Sequence, residues 1–167
     1  MRKIQRVLLV WYAREGRSHL PWRTTRDPYR VLVSEFMLQQ TQVDRVLPKF
    51  VAFVERFPDF RALAKSGAAE VVRYWQGLGY NARAVRLHAI ARIVMERFAG
   101  RLPCDAAQLR ALPGIGPYTA AALRAFAFDL DDAAIDTNVR RIAHRWLHGV
   151  EYPPVALDRQ LEDEAHG

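Results

Sequence analysis

The apolar positions along this chain of 167 residues recur with a helical period. Residues 3–15 are typical, because apolar side chains recur about every 3.6 residues there, with arginine and lysine between them, which predicts an amphipathic helix. No stretch alternates apolar and polar residues for long enough to predict a β-strand. The pattern therefore predicts an all-α fold.

Glycine, proline and helix-capping residues divide the rest of the chain into further helices. An extended basic stretch at 20–30, bounded by Pro21 and Pro28, precedes them. The predicted helices cover 29–40, 44–54, a short segment within 57–67, 68–76, a long segment that ends at Gly100, a short segment after the N-cap Asp105, 117–128 and 136–148. Pro153 and Pro154 then precede a brief acidic helix.

Composition and charge narrow the classes of function. Half of the residues are apolar, so a chain of this length can bury a core. The apolar runs are shorter than the ~20 residues of a membrane span, and the patch at 7–10 is too short for a signal peptide, so we expect a cytoplasmic protein. The net charge of +7 favours a polyanionic partner such as nucleic acid, although high-GC coding also produces basic, arginine-rich proteins.

The stretch LPGIGPYTAAAL at 112–123 places two glycines directly before a helix with small side chains. The backbone N–H groups at the start of such a helix form an anion site, and the missing Cβ atoms of Gly114 and Gly116 let a phosphate approach the backbone. The small residues that follow allow another helix to pack closely. The stretch predicts a helix-hairpin-helix element at about 108–124 that binds DNA phosphates independently of sequence. A glycine helix cap with close packing is the alternative.

Five motifs share the order and spacing of one known family. They are LPWR at 20–23, PYRVLVSEFMLQQTQVDRVLPKF at 28–50, WQGLGYNARAVRLH at 75–88, LPGIGPYTAAAL at 112–123 and AIDTNVRRI at 134–142. Together they resemble the helix-hairpin-helix (HhH-GPD) DNA glycosylase superfamily, which includes endonuclease III, and within it the MutY-type adenine DNA glycosylases. The resemblance covers residues 20 to about 148.

The resemblance implies a fold of two helical lobes, of which the second is incomplete in this chain. Residues 1–30, the N-terminal helix and its basic connector, are expected to belong to the second lobe. Residues 31–148 are expected to form the six-helix-type glycosylase domain, and 149–167 a truncated tail. The implied partner is double-stranded DNA with a mismatched or damaged base pair, bound by a monomer.

Two carboxylates stand in segments that favour opposite protonation states. Glu35 lies in an apolar stretch, where burial raises the pKa of a carboxyl group and keeps it protonated. Asp136 opens a helix, where the helix dipole and Asn138 favour the ionised form. An acid and an anion suffice for glycosidic bond cleavage. The plainer interpretations are a buried ion pair between Glu35 and an arginine, and a simple N-cap at Asp136.

The resemblance assigns roles to these residues and to two others. Glu35 matches the general acid that protonates adenine, and Asp136 the carboxylate that stabilises the sugar cation. Tyr118 stands where bifunctional relatives have a lysine that forms a Schiff base, and a phenol cannot form an imine, so a monofunctional enzyme is expected. Asn138 matches a residue that orients the water or Asp136. Core packing is the alternative role for Tyr118.

Further residues match positions that contact DNA. Gln39, Gln40 and Tyr80 match the residues that enter the duplex, and an aromatic face stacks on a base with about 1–3 kcal/mol. Trp22 and Arg23 match the lining of the adenine pocket, and the hairpin contributes Leu112, Gly114, Ile115, Gly116 and Thr119. The alternatives are a solvated glutamine pair, a tyrosine that covers the next helix and a tryptophan that anchors the core.

The sequence departs from the family in its cysteines. Family members usually hold a [4Fe–4S] cluster with four cysteines and carry a separate domain that recognises 8-oxoguanine. This chain has one cysteine, Cys104, so no cluster, no other multi-cysteine metal site and no internal disulfide is expected. A natural short form and a fragment both remain open. The expected activity is removal of adenine opposite guanine or 8-oxoguanine; the alternatives are an impaired DNA-binding module and a thymine glycosylase for T/G mismatches.

Overall fold

The computed structural model describes residues 2–149, and this part of the chain is helical with no β-strand. The helices are α1 (Arg2–Glu15), α2 (Pro28–Leu38), α3 (Val43–Arg56), α4 (Phe60–Lys65), α5 (Ala68–Trp75), α6 (Ala82–Arg97), α7 (Ala106–Arg110), α8 (Pro117–Phe128) and α9 (Thr137–His148). The predicted all-α fold is therefore confirmed for the described residues. The acidic helix predicted after Pro154 lies outside them.

The core surrounds α2. This helix packs against α3, α6 and α8, and its side chains are buried on nearly every side, as expected for a helix whose apolar residues are not confined to one stripe. Aromatic rings supply much of the core volume; Phe36, Phe50, Phe53, Phe57 and Trp75 are almost completely buried. Glu35 interrupts this apolar helix, so the fold itself carries a carboxyl group to the edge of the core.

Aspartate caps fix the starts of four of the described helices. In each case the carboxylate accepts a hydrogen bond of 2.6–3.0 Å from a backbone N–H two or three residues later. The capping residues are Asp27, Asp59, Asp105 and Asp136. The predicted cap at Asp105 is confirmed, and each such cap contributes about 1 kcal/mol to the stability of its helix.

Helix α2 ends two residues earlier than the pattern predicted. Arg83, from α6, donates hydrogen bonds to the carbonyl oxygens of Phe36, Met37 and Gln39. These carbonyls belong to the last turn, where a helix leaves its acceptors without partners of its own. The guanidinium satisfies them from the side, and the chain leaves the helix at Gln39, with Gln40 in the left-handed region at φ 55°.

Helices α1 and α9 each expose several apolar side chains. On α1 the residues from Val7 to Tyr12 are between 46% and 69% exposed, and on α9 Val139, Ile142 and Trp146 are between 47% and 62% exposed. The predicted assignment of residues 1–30 to an incomplete second lobe stays a prediction. None of the helices in the described part is long and apolar enough to cross a membrane.

Candidate active site

A cleft of about 740 Å³ lies beside α2 and α8 and under the connector that precedes α2. Its lining includes Trp22 and Arg23 from the connector, Glu35 from α2 and Tyr118 and Phe126 from α8. Helix α8 has small residues on its buried side, Ala120 and Ala122 among them, so it packs close to α2. The close packing places a carboxyl group and a phenol on the same wall.

Burial dominates the electrostatics of Glu35. It raises the pKa of this carboxyl group from 4.5 to about 7, against opposing effects from the hydrogen bond of Tyr118 and the charge of Arg23. The negative charge of Asp136 raises the pKa further. Glu35 therefore retains its proton over much of the neutral range, as a general acid requires.

Tyr118 is the hydrogen-bond partner of this acid. Burial, followed by the charges of Glu35 and Asp136, raises the pKa of its phenol to about 12, so the hydroxyl stays protonated and donates to the carboxylate of Glu35. The side chain is nevertheless 38% exposed, because it faces the cleft rather than the core. Simple core packing therefore does not describe Tyr118.

Asp136 combines a structural role with a place in the site. Its Oδ1 accepts a hydrogen bond of 2.6 Å from the backbone N–H of Val139, so the predicted N-cap is present. The charge of the same carboxylate raises the pKa of both Glu35 and Tyr118, although Asp136 is not among the residues that line the cleft. The predicted role of Asp136 beside Glu35 stays a prediction. Asn138 is exposed in the first turn of α9, and its Oδ1 lies 3.4 Å from Nη2 of Arg141.

The two predicted pocket residues differ in environment. Trp22 is 7% exposed and packs edge to face on Phe50, with ring centroids 5.1 Å apart, so it anchors the connector to the core while lining the cleft. Arg23 is exposed and its charge acts on Glu35 and Tyr118. No arginine forms an ion pair with Glu35 among the described residues; the charge of Arg23 only lowers the pKa of Glu35, by less than burial raises it.

The two hairpin glycines, Gly114 and Gly116, differ in the space around them. Gly114 has φ 84°, and a Cβ added there would lie 2.9 Å from Cδ of Arg86 and 3.4 Å from the ring of Phe36. An added Cβ on Gly116 would meet no atom within 4 Å. The space beside the hairpin is therefore open to a ligand at Gly116, whereas Arg86 and Phe36 already fill it at Gly114.

The side chains of the other predicted hairpin residues are buried. Leu112, Ile115 and Thr119 are each about 5% exposed or less and pack into the interior. Any contact with a phosphate at this element would therefore use the backbone N–H groups at the start of α8, as the sequence interpretation requires. Their predicted participation in DNA binding stays a prediction.

The residues predicted to enter the duplex lie on two adjoining loops. Gln39 and Gln40 follow α2, and Tyr80 precedes α6; Gln40 and Tyr80 have positive φ angles of 55° and 47°, and Tyr80 is 66% exposed. One buried side chain joins the loops: the guanidinium of Arg83 donates to the carbonyl oxygens of Phe36, Met37, Gln39, Leu78 and Gly79 and to the hydroxyl of Thr41.

Arg83 is a buried link between the two loops that the sequence interpretation missed. It is 5% exposed and its guanidinium also lies 5.6 Å from the centroid of the Tyr80 ring. A signal was present, because Arg83 occupies the apolar stripe of α6, in register with Leu87, Ile90 and Val94. An arginine at a core position requires several acceptors, which here are the carbonyls of both loops.

The residues present do not fit an iron–sulfur cluster. Such a cluster needs four cysteine ligands, and the chain's one cysteine, Cys104, is exposed. Among the described residues no group of three or more histidine, cysteine, aspartate or glutamate side chains is arranged to hold a metal ion.

The helical fold and the family comparison together place the chain among base excision repair proteins. Residues 33–163 match the family described as HhH-GPD superfamily base excision DNA repair protein, and the chain belongs to this family. Two of its curated relatives are adenine DNA glycosylases. The protein of Mycolicibacterium smegmatis is 46% identical over 93% of this chain and 53% of its own length, and that of Mus musculus is 42% identical over 83% and 28%.

Solved structures show the same fold. A thermostable thymine-DNA glycosylase superposes with a TM-score of 0.89 at 29% identity, covering 99% of this chain and 76% of its own. Endonuclease III in a non-covalent DNA complex gives a TM-score of 0.78 at 19% identity, covering 99% and 81%. The chain spans about half the length of the Mycolicibacterium relative, 53% of it.

Proposed function

We propose that this chain is a monofunctional DNA N-glycosylase that removes adenine mispaired with guanine or 8-oxoguanine. The observation that carries the proposal is the buried carboxyl group of Glu35, which lines the cleft together with Tyr118 and has a pKa of about 7. The charge of Asp136 acts on both groups. The relatives with curated names at 46% and 42% identity are adenine DNA glycosylases, which supports adenine as the excised base.

The proposed reaction is hydrolysis of the bond between the sugar C1′ and the purine nitrogen. Glu35 donates its proton to the base, and the bond breaks with its electron pair going to the leaving base. Asp136 stabilises the positive charge that develops on the sugar. A water molecule then adds to C1′ and loses a proton, which leaves an abasic site. The phenol of Tyr118 forms no imine, so the strand stays intact.

Binding to duplex DNA is assigned to the hairpin and the two loops joined by Arg83. The open side of Gly116 accepts a phosphate, while Gln39, Gln40 and Tyr80 enter the stack that the extracted base leaves. Trp22 and Arg23 line the pocket for the base, and Asn138 orients the water or Asp136. The protein works as a monomer, in the cytoplasm on the nucleoid.

The test is release of free base from synthetic duplexes, measured by chromatography. Duplexes with adenine opposite 8-oxoguanine or guanine should yield free adenine, and alkali should then cut the strand that was intact before. Asp136→Asn and Glu35→Gln should bind the same duplexes without releasing base. Binding by the wild type without release of any base would leave a DNA-binding module and defeat the enzymatic proposal.

A second candidate is removal of thymine from T/G mismatches. It is favoured by the 29% identity and TM-score of 0.89 with a protein named as a thymine-DNA glycosylase. A duplex with thymine opposite guanine in the same assay distinguishes the candidates. Release of thymine in preference to adenine would support the second and contradict the first.

A further inference from the structure

Asp136 stands at the end of the loop that joins α8 to α9, where it caps α9, and one arginine of α8 holds this loop. Arg124 Nε donates to Asp132 Oδ2 at 2.8 Å, and its Nη1 donates to the carbonyl oxygen of Cys104 at 2.5 Å. The backbone N–H of Leu130 donates to the carbonyl oxygen of Arg124 at 3.0 Å. A single residue therefore binds the loop through both its side chain and its backbone.

Backbone hydrogen bonds also connect the loop residues between Leu130 and Ile135, and the loop is short. The N–H of Asp132 donates to the carbonyl oxygen of Leu130 at 2.9 Å, and that of Ile135 donates to Ala133 at 3.0 Å. Only three residues separate Asp132 from Asp136, which then caps α9. A shift of the loop at Asp132 must therefore be absorbed within one short turn or passed on to Asp136.

The environment strengthens the ion pair. The side chains of Arg124 and Asp132 are 24% and 20% exposed, whereas those of Arg26 and Asp129, paired at 2.6 Å, are 67% and 66% exposed. Shielded, hydrogen-bonded pairs contribute more than solvated ones. Removing one partner leaves the other charge partly buried without compensation.

We propose that Arg124 and Asp132 form a positioning pair, which holds the loop so that the Asp136 carboxylate faces Glu35 and the sugar cation. The pair does not touch the substrate. The inference rests on the proposed function for its catalytic consequence, but the placement of Asp136 can be measured without any substrate.

The first readout is the pKa of Glu35 in the free protein, followed by NMR of labelled glutamate carboxyl carbons. The charged or titratable groups that act on Glu35 are Tyr118 of α8, Arg23 of the connector and Asp136. If Asp136 moves away, its raising effect is lost and the pKa of Glu35 falls. Asp136→Asn provides the reference for the full loss of that charge.

The variant Arg124→Gln distinguishes a displacement of Asp136 from the direct effect of removing the positive charge of Arg124. Removing a cation would by itself raise the pKa of a nearby carboxyl group, whereas a displaced Asp136 lowers it. We expect a lower pKa in Arg124→Gln, in the same direction as in Asp136→Asn. Arg124→Lys keeps the charge but replaces the planar guanidinium fork with one ammonium group, which should hold Asp132 and Cys104 less firmly. A lowered pKa is expected there too, and this variant serves if Arg124→Gln does not fold. A raised or unchanged pKa of Glu35 would overturn the proposal.

The second readout is single-turnover base release beside DNA affinity. Misplacement of a catalytic group by about 1 Å can cost on the order of 100-fold in rate, so we expect Arg124→Gln and Asp132→Asn to lose at least ~10-fold in rate with little change in Kd. The double variant should lose no more than the worse single one. The control is Arg56→Gln, which breaks the Arg56–Glu70 ion pair between α3 and α5.

The outcomes distinguish this inference from the proposed function. If the wild type releases no base, the proposed function fails, and the titration of Glu35 still decides whether the pair places Asp136. If the wild type is active and the Arg124 variants lose no more rate than Arg56→Gln at matched thermal stability, the positioning role is refuted while the proposed function stands.

Discussion

The hydroxyl of Tyr118 donates a hydrogen bond to the carboxyl group of Glu35, and the two groups shift each other's protonation in opposite directions. The bond favours the ionised form of Glu35 and so lowers its pKa, while burial raises that pKa to about 7. The negative charge of Glu35 adds to burial in raising the pKa of Tyr118 to about 12. The phenol therefore tunes the strength of the acid without exchanging a proton itself.

We predict that replacing the phenol of Tyr118 shifts the pH dependence of the rate of base release. Tyr118→Phe removes the hydrogen bond that lowers the pKa of Glu35, so this pKa should rise above about 7. Because base release needs protonated Glu35, the limb where the rate falls with rising pH should move to higher pH. Single-turnover rates across the pH range measure it, with Tyr12→Phe, on the same cleft, as control. A limb that moves to lower pH would contradict the assigned hydrogen bond.

We predict that the buried carboxyl group of Glu35 makes the stability of the fold depend on pH. The folded state holds the proton of Glu35 up to about pH 7, whereas an unfolded glutamate releases it near 4.5. Stability is therefore lost as pH rises from the lower value to the higher one, and the loss is complete above both. Glu35→Gln has no such loss, so it should be more stable than the wild type by ~1–3 kcal/mol in mildly alkaline solution.

The same difference should disappear in acid. Below about pH 4.5 the glutamate is protonated in both states, so the wild type and Glu35→Gln should have similar free energies of unfolding. Urea unfolding at several pH values measures the difference. An advantage of the variant that stays constant with pH would show that Glu35 is not buried as an acid.

We predict that replacing the buried side chain of Arg83 lowers the free energy of unfolding by a large amount. Arg83→Met leaves the carbonyl oxygens of two loops without donors, so the free energy of unfolding should fall by about 3 kcal/mol. Arg92→Gln, on the same helix, removes an exposed arginine 3.9 Å from Glu96 and should change stability by less than ~0.5 kcal/mol. Equal losses in the two variants, measured by urea unfolding, would refute the linking role of Arg83.

The hairpin glycines predict opposite phenotypes. Gly114→Ala must adopt φ 84° and meet Cδ of Arg86 at 2.9 Å, so the fold should lose stability, by ~1–3 kcal/mol. Gly116→Ala fits an ordinary backbone with free space around it, so the fold should keep its stability while affinity for duplex DNA falls. Thermal unfolding and DNA titration measure both. Unchanged DNA affinity in Gly116→Ala would place the phosphate elsewhere.

Local sequence signals predicted helix boundaries correctly where the signal acts on residues close to it in the chain. The range 117–128 for α8 and the cap at Asp105 are confirmed, because proline, glycine and aspartate act within one turn. The end of α2 was wrong by two residues, since the donor that satisfies its last carbonyls is Arg83, far away in the sequence.

The site was predictable only in part for the same reason. Burial of Glu35 followed from its apolar neighbours, but its approach to Asp136 depends on how α2 and α9 are placed in space, which no periodicity encodes; the family resemblance supplied that expectation. Arg124 lay in the predicted helix 117–128 and Asp132 in the stretch between two predicted helices, so no local signal linked the two residues. The role of Gly114 also escaped, because the side chain of Arg86 that fills its space comes from α6.

The most direct test of the central claim, that Glu35 works as a buried general acid, is the pH dependence of single-turnover base release. Because the pKa of Glu35 is about 7, the wild-type rate on a duplex with adenine opposite 8-oxoguanine should fall as pH rises through that value. Glu35→Gln should abolish release with binding retained. A rate that rises through about pH 7, or undiminished release by Glu35→Gln, would contradict the account.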